Sequence, residues 1–560
     1  MIKTSSRGKR SYRKKSAEEE QEDSEILPFS CEQASVSQNF TKLSFADEIP
    51  EEVLELSYSK SRLTIPGNDS QEAPSVDQSI SNQILEKLRK ERKELEIVNI
   101  EKRGRGIVTR KRLTRGDVVL RELPYAAVVD DENLTRNCSR CFQSASKMYR
   151  CSSCKVLHYC SKKCQLEEWS AFHKEECANW VRLGRHVPTA IRTICRVLIR
   201  RNKSPATFEE VENLENLKSK FLSSKLELFG QMSLVVSKVL PPSLLLSPSS
   251  MIDLFCRFTC NSFSVVDDEC VGIGVGVYPL AAMVNHSCWP NCIAMFEEDQ
   301  MVIRCLRDIE EGEELTISYV DIALPTEERR RELLERYFFI CNCDLCQKRK
   351  PSDIDLRCAF KCSNQNCSGG LAPLDPLSED EEYNEICAKC GDITKYDVHE
   401  IREKQEFSQM KYEKAVAFQK IDPEKAINLL EETYSLQFPL LHSLNYELLR
   451  TRQLLKILYI ERQRWADALS HTTSILSAFH QLLPPHHPLL GVLQLSAAKL
   501  ILHLLAENDS FEEPINLLRQ AIDDLRVSHG RKSELTLEAE ELLKKTELEF
   551  EGSLRNRNIP

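Results

Sequence analysis

The amino-acid sequence predicts a multidomain α+β protein with a β-rich centre and an all-helical C-terminal domain. Short runs of alternating apolar and polar residues, separated by turn glycines, indicate strands from Ile97 onward and again over residues 264–319. Fifteen of the 23 cysteines fall into clusters with the spacing of metal ligands. Beyond Asp397, amphipathic helical patterns follow one another almost without interruption. The 560 residues are enough for about three or four domains.

The charge and composition exclude several classes of function. The 76 basic and 86 acidic residues give a net charge of −10, so no global positive field attracts nucleic acids or acidic membranes. The first residues are polar and basic and do not resemble a secretory signal. The Gly- and Val-rich run 271–284 is too short to cross a membrane. We therefore expect a soluble protein of the nucleus and cytoplasm, in which clustered cysteines bind zinc instead of forming disulfides.

The N-terminal region is expected to lack a packed core. Residues 1–80 are rich in Ser, Glu, Gln and Lys and contain few apolar side chains, which is typical of a disordered tail. Seven basic residues precede Ser16 in a pattern that fits a nuclear-import signal, although an ordinary solvated tail explains them equally well. A charged pattern with apolar residues at helical spacing predicts a short surface helix over residues 82–96.

Eight soft metal ligands lie between residues 138 and 177, which is enough for two closed tetrahedral zinc sites. They are Cys138, Cys141, Cys151, Cys154, Cys160, Cys164, His173 and Cys177. Neighbouring Cys-x-x-Cys pairs could each fill one site in sequence, or alternate pairs could form a cross-brace. In both arrangements the zinc is structural, because no ligand position is left for water.

Two further cysteine sets follow. Cys288, Cys341, Cys343 and Cys346 predict a closed site that would staple a downstream segment onto the strand or loop carrying Asn285 and His286. Cys362, Cys367, Cys387 and Cys390 have zinc-ribbon spacing, with Cys358 as a competing ligand. The sequence thus predicts two zinc sites in residues 138–177 and a third at Cys288, Cys341, Cys343 and Cys346. The last set of four cysteines offers a fourth site. The remaining eight cysteines, which include Cys31 and Cys358, are interpreted as small buried hydrophobic residues.

Helical patterns occupy two long regions. A Leu-rich stretch at about 188–260 is interrupted by two prolines at 241–242, and a charged helix is predicted at Thr326–Tyr337. In the C-terminal region a loose similarity recurs about every 40–46 residues. This recurrence predicts stacked helical hairpins of tetratricopeptide type, and a plain helical bundle is the alternative.

Four motifs in strict order resemble the SET domain of lysine methyltransferases. They are residues 103–107 (Arg-Gly-Arg-Gly-Ile), 260–263 (Cys-Asn-Ser-Phe), 285–288 (Asn-His-Ser-Cys) and 312–319 (Gly-Glu-Glu-Leu-Thr-Ile-Ser-Tyr). A SET domain that is split by a MYND-type zinc finger and followed by Cys-x-Cys-x-x-Cys and a helical tail resembles the SET and MYND domain (SMYD) family. The similarity extends over about 95–350 and more loosely to the C-terminus.

The resemblance implies a division of the chain and a ligand pairing in the finger. The implied segments are the tail 1–80, a short helix and N-terminal SET segment 81–137, the finger 138–177, a helical insert 178–254, the C-terminal SET core 255–338, the post-SET zinc segment 339–349, a possible zinc ribbon-like connector 350–396 and the helical-repeat domain 397–560. The implied pairing is a cross-brace, in which Cys138, Cys141, Cys160 and Cys164 hold one zinc and Cys151, Cys154, His173 and Cys177 the other.

The same resemblance implies a protein-lysine N-methyltransferase that uses S-adenosylmethionine and acts on histone or non-histone proteins. Gly104 would let the backbone approach the cofactor, with Arg103 and Arg105 beside its methionine end, although many relatives carry Asn in place of Arg105. Asn285 and His286 would make polar contacts with the cofactor. Phe339 would stack on its adenine.

The resemblance also assigns the residues around the substrate lysine. Tyr319, at the end of a β-type run, would orient the substrate amine and the departing methyl group, beside the cofactor. Phe263 and Tyr337 would line an apolar channel, although core packing explains the same aromatic residues. Such a channel favours the neutral amine, because burial disfavours the charged form.

The finger and the helical tail also imply partners other than the substrate. MYND fingers in similar proteins bind proline-rich peptides, and helical-repeat tails present surfaces to partners that include chaperones. The competing function is therefore an adaptor that acts mainly by protein–protein binding, as a transcriptional co-regulator. The cysteine spacing of the finger differs from that of fingers that read the DNA groove, so direct DNA binding is not expected.

Overall fold

The computed structural model describes residues 82–184, 187–347, 354–374, 382–506 and 510–557. The tail 1–80, with its basic run and Cys31, lies outside the described residues. The described chain confirms the α+β class, with small sheets in its first half and packed helices in its second. Among these residues no helix combines the length and the apolar composition that crossing a bilayer requires.

The first half of the described chain begins with one helix and four strands. In order they are α1 (Asn82–Glu91), β1 (Leu95–Ile100), β2 (Gly104–Thr109), β3 (Val118–Glu122) and β4 (Ala126–Val129). The helix is shorter than predicted, because Leu95 and Glu96 pair with β2 in an antiparallel hairpin. It is also not a pure surface helix, since Ile84 and Leu88 are buried.

The finger and the helical insert follow β4. Their elements are β5 (Tyr149–Arg150), β6 (His158–Tyr159), α2 (Lys162–Glu168), a π-helical turn (Trp169–His173), α3 (Lys174–Leu183), α4 (Thr189–Lys203), α5 (Phe208–Glu212), α6 (Ser223–Val239) and α7 (Pro248–Asn261). The break between α6 and α7 falls at the predicted pair of prolines, which cannot donate a backbone hydrogen bond. Buried Arg196 of α4 pairs with buried Glu168 and thereby ties the finger to the insert.

The later part of the first half carries six further strands. They are β7 (Ser262–Val266), β8 (Gly272–Val277), β9 (Asn285–His286), β10 (Cys292–Glu297), β11 (Gln300–Cys305) and β12 (Thr316–Ile317), followed by α8 (Thr326–Tyr337) and α9 (Asp344–Gln347). The strand orders are β4–β8–β7 and β10–β11–β3, and β9 pairs with β12 in parallel. Sheets built from strands far apart in sequence bring the motifs into one core.

The connector and the helical domain complete the chain. Their elements are β13 (Phe360–Lys361), β14 (Gly370–Leu371), β15 (Glu382–Ile386), β16 (Ile393–Asp397), α10 (Val398–Phe418), α11 (Pro423–Gln437), α12 (Tyr446–Glu461), α13 (Trp465–Leu482), α14 (Pro488–Leu504), α15 (Glu512–Ser528) and α16 (Glu534–Arg557). Each of these helices packs mainly on its neighbours in sequence, as stacked hairpins do. Gly491 permits the close packing of α14 on α15, since a Cβ there would lie 2.8 Å from Leu525 Cγ.

The helical domain contacts the first half of the described chain at several points. His529 Nε2 lies 2.8 Å from the Asp268 carbonyl oxygen in the turn between β7 and β8. At a second point, Lys420 pairs with Glu132 at 2.6 Å. Gly530, with a φ of 95°, lies so close to Arg304 that a Cβ would be 2.5 Å from Nη2. These contacts fix the α10–α11 turn and the α15–α16 turn of the helical domain to the first half of the chain.

Candidate active site and metal centres

The eight ligands of the finger form two separate groups, and the arrangement is the cross-brace. The ligand atoms of Cys138, Cys141, Cys160 and Cys164 lie within 4.8 Å of one another, as do those of Cys151, Cys154, His173 and Cys177. The chemistry and proximity of these donors suit tetrahedral zinc with no ligand position left open. Glu176, which is buried, lies 3.2 Å from His173 Nδ1, and His173 Nε2 faces Cys154 Sγ at 3.3 Å.

The upstream cysteine and the downstream cluster also meet as predicted. Cys288 Sγ lies 3.6 Å from Cys346 Sγ and 3.9 Å from Cys341 Sγ, and Cys343 belongs to the same group. The fully buried guanidinium of Arg329 contacts Cys288, so a positive charge faces the thiolates. Four soft donors with a compensating cation suit a closed zinc site.

The fourth predicted set is brought together as well. Cys362, Cys367, Cys387 and Cys390 place their Sγ atoms within 4.8 Å of one another. Cys358 does not join them, because its thiol donates to the Asp355 carbonyl oxygen at 3.3 Å. It is only half-buried, in contrast to the prediction. Of the other single cysteines, those in the described chain are buried as expected: Cys195, Cys256, Cys260, Cys270, Cys292 and Cys305.

One histidine connects the third metal site to the predicted catalytic tyrosine. The parallel pairing of β9 with β12 sets His286 beside Ile317, two residues before Tyr319. His286 Nδ1 accepts a hydrogen bond from the Tyr319 backbone N–H at 3.0 Å, and Nε2 lies 3.2 Å from Cys288 Sγ. Both ring nitrogens therefore have protein partners. The predicted cofactor contact of His286 stays a prediction. In addition, the ring links the Tyr319 backbone to Cys288.

Tyr319 is held inside a cluster of aromatic rings. Its hydroxyl donates to the Val284 carbonyl oxygen at 2.6 Å, and its ring lies 5.0 Å from Tyr337 and 6.5 Å from Phe339 between centroids. Phe338 ends α8 in the left-handed region with a φ of 59°, which turns the chain between these two rings. Burial raises the pKa of Tyr319 and of Tyr337, so both phenols stay protonated at neutral pH.

The third predicted channel residue lies on a different element. Phe263 is buried on β7, and its ring meets Tyr278 edge-on with centroids 5.9 Å apart. Its strand partner is Gly276 of β8. Core packing and a channel wall are therefore compatible roles for this residue.

Two of the predicted cofactor residues, Arg103 and Asn285, converge on one acidic side chain that the motif analysis did not single out. Glu314 forms an ion pair with Arg103 and accepts a hydrogen bond from Asn285 Nδ2 at 2.9 Å. Arg103 also donates to the His286 carbonyl oxygen at 2.6 Å. A Cβ on Gly106 would lie 2.8 Å from Asn285 Nδ2 and 2.9 Å from Glu314 Oε1, so the hairpin requires glycine there. Glu314 lies within the motif 312–319, which was the available signal.

The second arginine of the hairpin is anchored on the helical insert. Arg105 Nη2 donates to the Asn213 carbonyl oxygen and to Glu215 Oε1, each at 2.9 Å, and Asn261 Nδ2 donates to the Glu215 carbonyl oxygen at 3.1 Å. The Arg105 Nη1 atom is buried and has no hydrogen-bond partner. A buried cationic donor of this kind suits an anionic ligand group such as a carboxylate. Together with the open backbone at Gly104, which has a φ of 74°, these residues fit S-adenosylmethionine.

Comparison with known proteins agrees with this geometry. Residues 104–320 match the SET domain family. Histone-lysine N-methyltransferase ASHR1 of Arabidopsis thaliana is 31% identical over 461 residues, which cover 78% of this chain and 92% of the relative. Human histone-lysine N-methyltransferase SMYD3 is 29% identical over 78% of this chain and 93% of its own length. SET domain and MYND-type zinc finger protein 6 of Schizosaccharomyces pombe is 32% identical over 44% of this chain and 50% of its own length.

Proposed function

The chain belongs to the SET and MYND domain family of lysine methyltransferases, and we propose that it methylates lysine side chains of histone or non-histone proteins. The methyl donor is S-adenosylmethionine, which supplies an electrophilic methyl group when bound. The observation that carries this proposal is the junction at which His286 joins the Tyr319 backbone to the zinc ligand Cys288. Tyr319 lies there in a cluster with Tyr337 and Phe339, which we assign to the wall of the substrate channel.

Holding the two reactants in line is the main task of such a site, because methyl transfer needs no covalent bond to the protein. Arg103, Asn285 and Glu314 form a connected polar wall on one side, in which each group has a partner. The aromatic rings of Tyr319 and Tyr337 form the other side. Preorganised contacts of this kind cost little reorganisation at the moment of reaction.

The attacking lysine amine must be neutral, and its ordinary pKa is near 10.4. Tyr319 and Tyr337 cannot remove the proton at neutral pH, because burial raises the pKa of both phenols. We assign them the roles of orienting and desolvating the amine. The proton therefore leaves to water before or during entry into the apolar channel, where the neutral amine is favoured.

Transfer of labelled methyl groups tests the proposed function. The full chain is incubated with labelled S-adenosylmethionine and either histones or a cell extract, and we expect labelled methyl-lysine. Tyr319→Phe removes the hydroxyl that donates to Val284, and we expect a loss of about 10²–10³-fold in turnover with cofactor binding retained.

Tyr459→Phe is the matched control, since Tyr459 lies on α12 and its hydroxyl donates to Glu431. It should retain the full rate. Equal transfer by the wild type and Tyr319→Phe, or no cofactor binding by either protein, would refute the proposal.

Binding roles for the finger and the helical domain form part of the proposal. Tyr149, Leu166 and Trp169 are exposed on the finger, and exposed aromatic side chains suit proline-rich peptides. The groove of about 740 Å³ between α13, α14 and α15 is a candidate surface for chaperones. Peptide titration of the wild type and of Trp169→Ala tests the first role, and unchanged affinity would argue against it. Pull-down of a purified chaperone by the wild type and by Leu517→Lys tests the second.

We also propose that the protein occurs in both the nucleus and the cytoplasm. The basic run before Ser16 supports nuclear import by its composition. Imaging of a fluorescent fusion, with and without the seven basic residues, tests this. Exclusion of the intact fusion from the nucleus would contradict the nuclear part of the proposal.

A further inference from the structure

Four cysteines of the connector form a compact group outside the proposed active site. Cys362 follows β13, Cys367 lies in the turn before β14, and Cys387 and Cys390 flank the turn between β15 and β16. The Sγ atoms of Cys362 and Cys390 are 3.5 Å apart, and those of Cys367 and Cys387 are 3.7 Å apart. These separations are far beyond the roughly 2.05 Å of a disulfide bond. The four residues are free cysteines that share one site.

The backbone also contacts this group, since the Gly369 N–H donates to Cys367 Sγ at 3.2 Å. Hydrogen bonds to a sulfur favour its charged form. Four thiolates within 4.8 Å repel one another strongly unless a cation lies between them.

Two glycines let the chain fold tightly around the sulfurs. Gly391 has a φ of 79° and closes the turn after Cys390, with its N–H donating to the Cys387 carbonyl oxygen at 2.8 Å. A Cβ on Gly369 would lie 2.6 Å from Cys387 Sγ and 3.2 Å from Cys367 Sγ. The space around the group therefore accommodates the sulfurs and a small ion, but no additional side chain.

The connector shares its apolar core with the first helices of the helical domain. Buried residues of the connector pack in one cluster with buried residues of α10, α12 and the preceding loop: Phe360, Cys362, Leu371, Tyr383 and Cys387 with Val398, Ile401, Leu440, Leu441 and Leu448. The backbones are paired as well, since the Lys361 N–H donates to the Leu440 carbonyl oxygen at 2.8 Å and the His442 N–H to the Ala359 carbonyl oxygen at 3.1 Å. Stacked helical arrays need such a cover over their terminal repeat.

We propose that Cys362, Cys367, Cys387 and Cys390 bind a fourth, structural zinc ion, and that this zinc-bound connector is the N-terminal cap of the helical array. Zinc is the metal that four thiolates in a closed tetrahedral group select. Loss of the ion separates the two hairpins of the connector, because the four sulfurs come from both. The apolar surface beneath α10 and the loop before α12 then becomes exposed.

The metal content of the full chain tests the first half of this proposal. Mass spectrometry of the purified protein should find four zinc ions for each wild-type chain, and three for the double variant Cys387→Ser/Cys390→Ser. Cys358→Ser is the matched control, since Cys358 is a nearby cysteine outside the group, and it should retain four. Three zinc ions in the wild type, or four in the double variant, would overturn the assignment.

Hydrogen exchange tests the second half. In the double variant, amide exchange should become at least about tenfold faster in α10, in α11 and in the N-terminal half of α12, and it should stay unchanged in β7 and β8. Gly369→Ala keeps every ligand and crowds the site, so it provides a milder variant if the double variant is poorly folded. Zinc loss without faster exchange in α10–α12 would overturn the role as a cap. Neither outcome depends on methyl transfer, so failure of this proposal and of the enzymatic one are distinguishable.

Discussion

The third and fourth cysteine groups have the same donor set and lie close together in sequence, but they connect to different parts of the molecule. The third group has three buried members and the half-buried Cys343, faces the Arg329 guanidinium and reaches Tyr319 through His286. The fourth has an exposed member, Cys390, and its core continues into the helices. The comparison teaches that the ligand set determines which ion is bound, whereas the neighbouring side chains determine which process depends on that ion.

The largest expected effect is a loss of stability at the third group. Arg329→Met removes the buried cation that faces Cys288 and also donates to the Leu324 carbonyl oxygen. We expect a loss of about 3–5 kcal/mol in the free energy of unfolding, because the net negative charge of four thiolates around one zinc ion is left buried without its compensating cation. Denaturant unfolding measures this change. Arg331→Met, an exposed position on the same helix, is the control and should change little. Equal stability of the two variants would contradict the role of Arg329.

A smaller effect is expected at the glycine beneath the cofactor residues. A Cβ in Gly106→Ala would displace Asn285 or Glu314, at a cost of about 1–3 kcal/mol. Affinity for S-adenosylmethionine should fall by about 10–100-fold in a calorimetric titration, while the fourth group keeps its zinc. Gly230→Ala has open space around it and should leave the affinity unchanged. Unchanged affinity in Gly106→Ala would place the cofactor elsewhere.

The pH dependence of methyl transfer shows whether a tyrosine phenol or the substrate lysine amine titrates in the working range. Burial raises the pKa of Tyr319, so its phenol remains protonated at every pH at which an unperturbed tyrosine is protonated, up to about 10. The transfer rate at low substrate should therefore rise about tenfold for each pH unit below the pKa of the lysine amine. A decline between pH 7 and 9 would show that a phenol ionises within this range. Tyr319→Phe should have a lower rate with a profile of the same shape.

The smallest effect is expected at the surface contact between the two halves. Lys420 and Glu132 form an ion pair in which both side chains are more than half exposed. Lys420→Ala should lower the free energy of unfolding by less than about 1 kcal/mol, because water screens such pairs. A much larger loss, measured by thermal unfolding, would mean that this contact determines how the two halves pack.

The sequence predicted the metal ligands well because zinc imposes short, regular spacing on its cysteines. It could not decide whether Cys358 joins the fourth group, since the answer depends on a hydrogen bond to the Asp355 carbonyl oxygen. The predicted end of α1 at residue 96 was wrong, because it too depends on contacts between residues far apart in sequence. Charged residues with helical periodicity continue to residue 96, but strand pairing of Leu95 with Thr109 prevails over local propensity.

For the candidate active site, motif reasoning singled out residues whose neighbours in sequence are distinctive. It did not single out Glu314 or Glu215, which become important only when folding places Arg103 and Arg105 against them. Arg329 was missed because a charged helix gives no sign that one of its arginines is fully buried. Long-range charge pairs of this kind follow from the packing of α8 and of the hairpin β1–β2, which a single sequence does not reveal.

Cofactor affinity tests most directly whether the third zinc group maintains the active site and the fourth does not. S-adenosylmethionine is titrated into the wild type, into Cys341→Ser and into Cys387→Ser/Cys390→Ser, and binding is measured by calorimetry. Loss of the third zinc should release Cys288 and His286, so Cys341→Ser should bind the cofactor at least about 100-fold more weakly. The double variant should bind within about threefold of the wild type. Equal affinity of Cys341→Ser and the wild type would contradict the account.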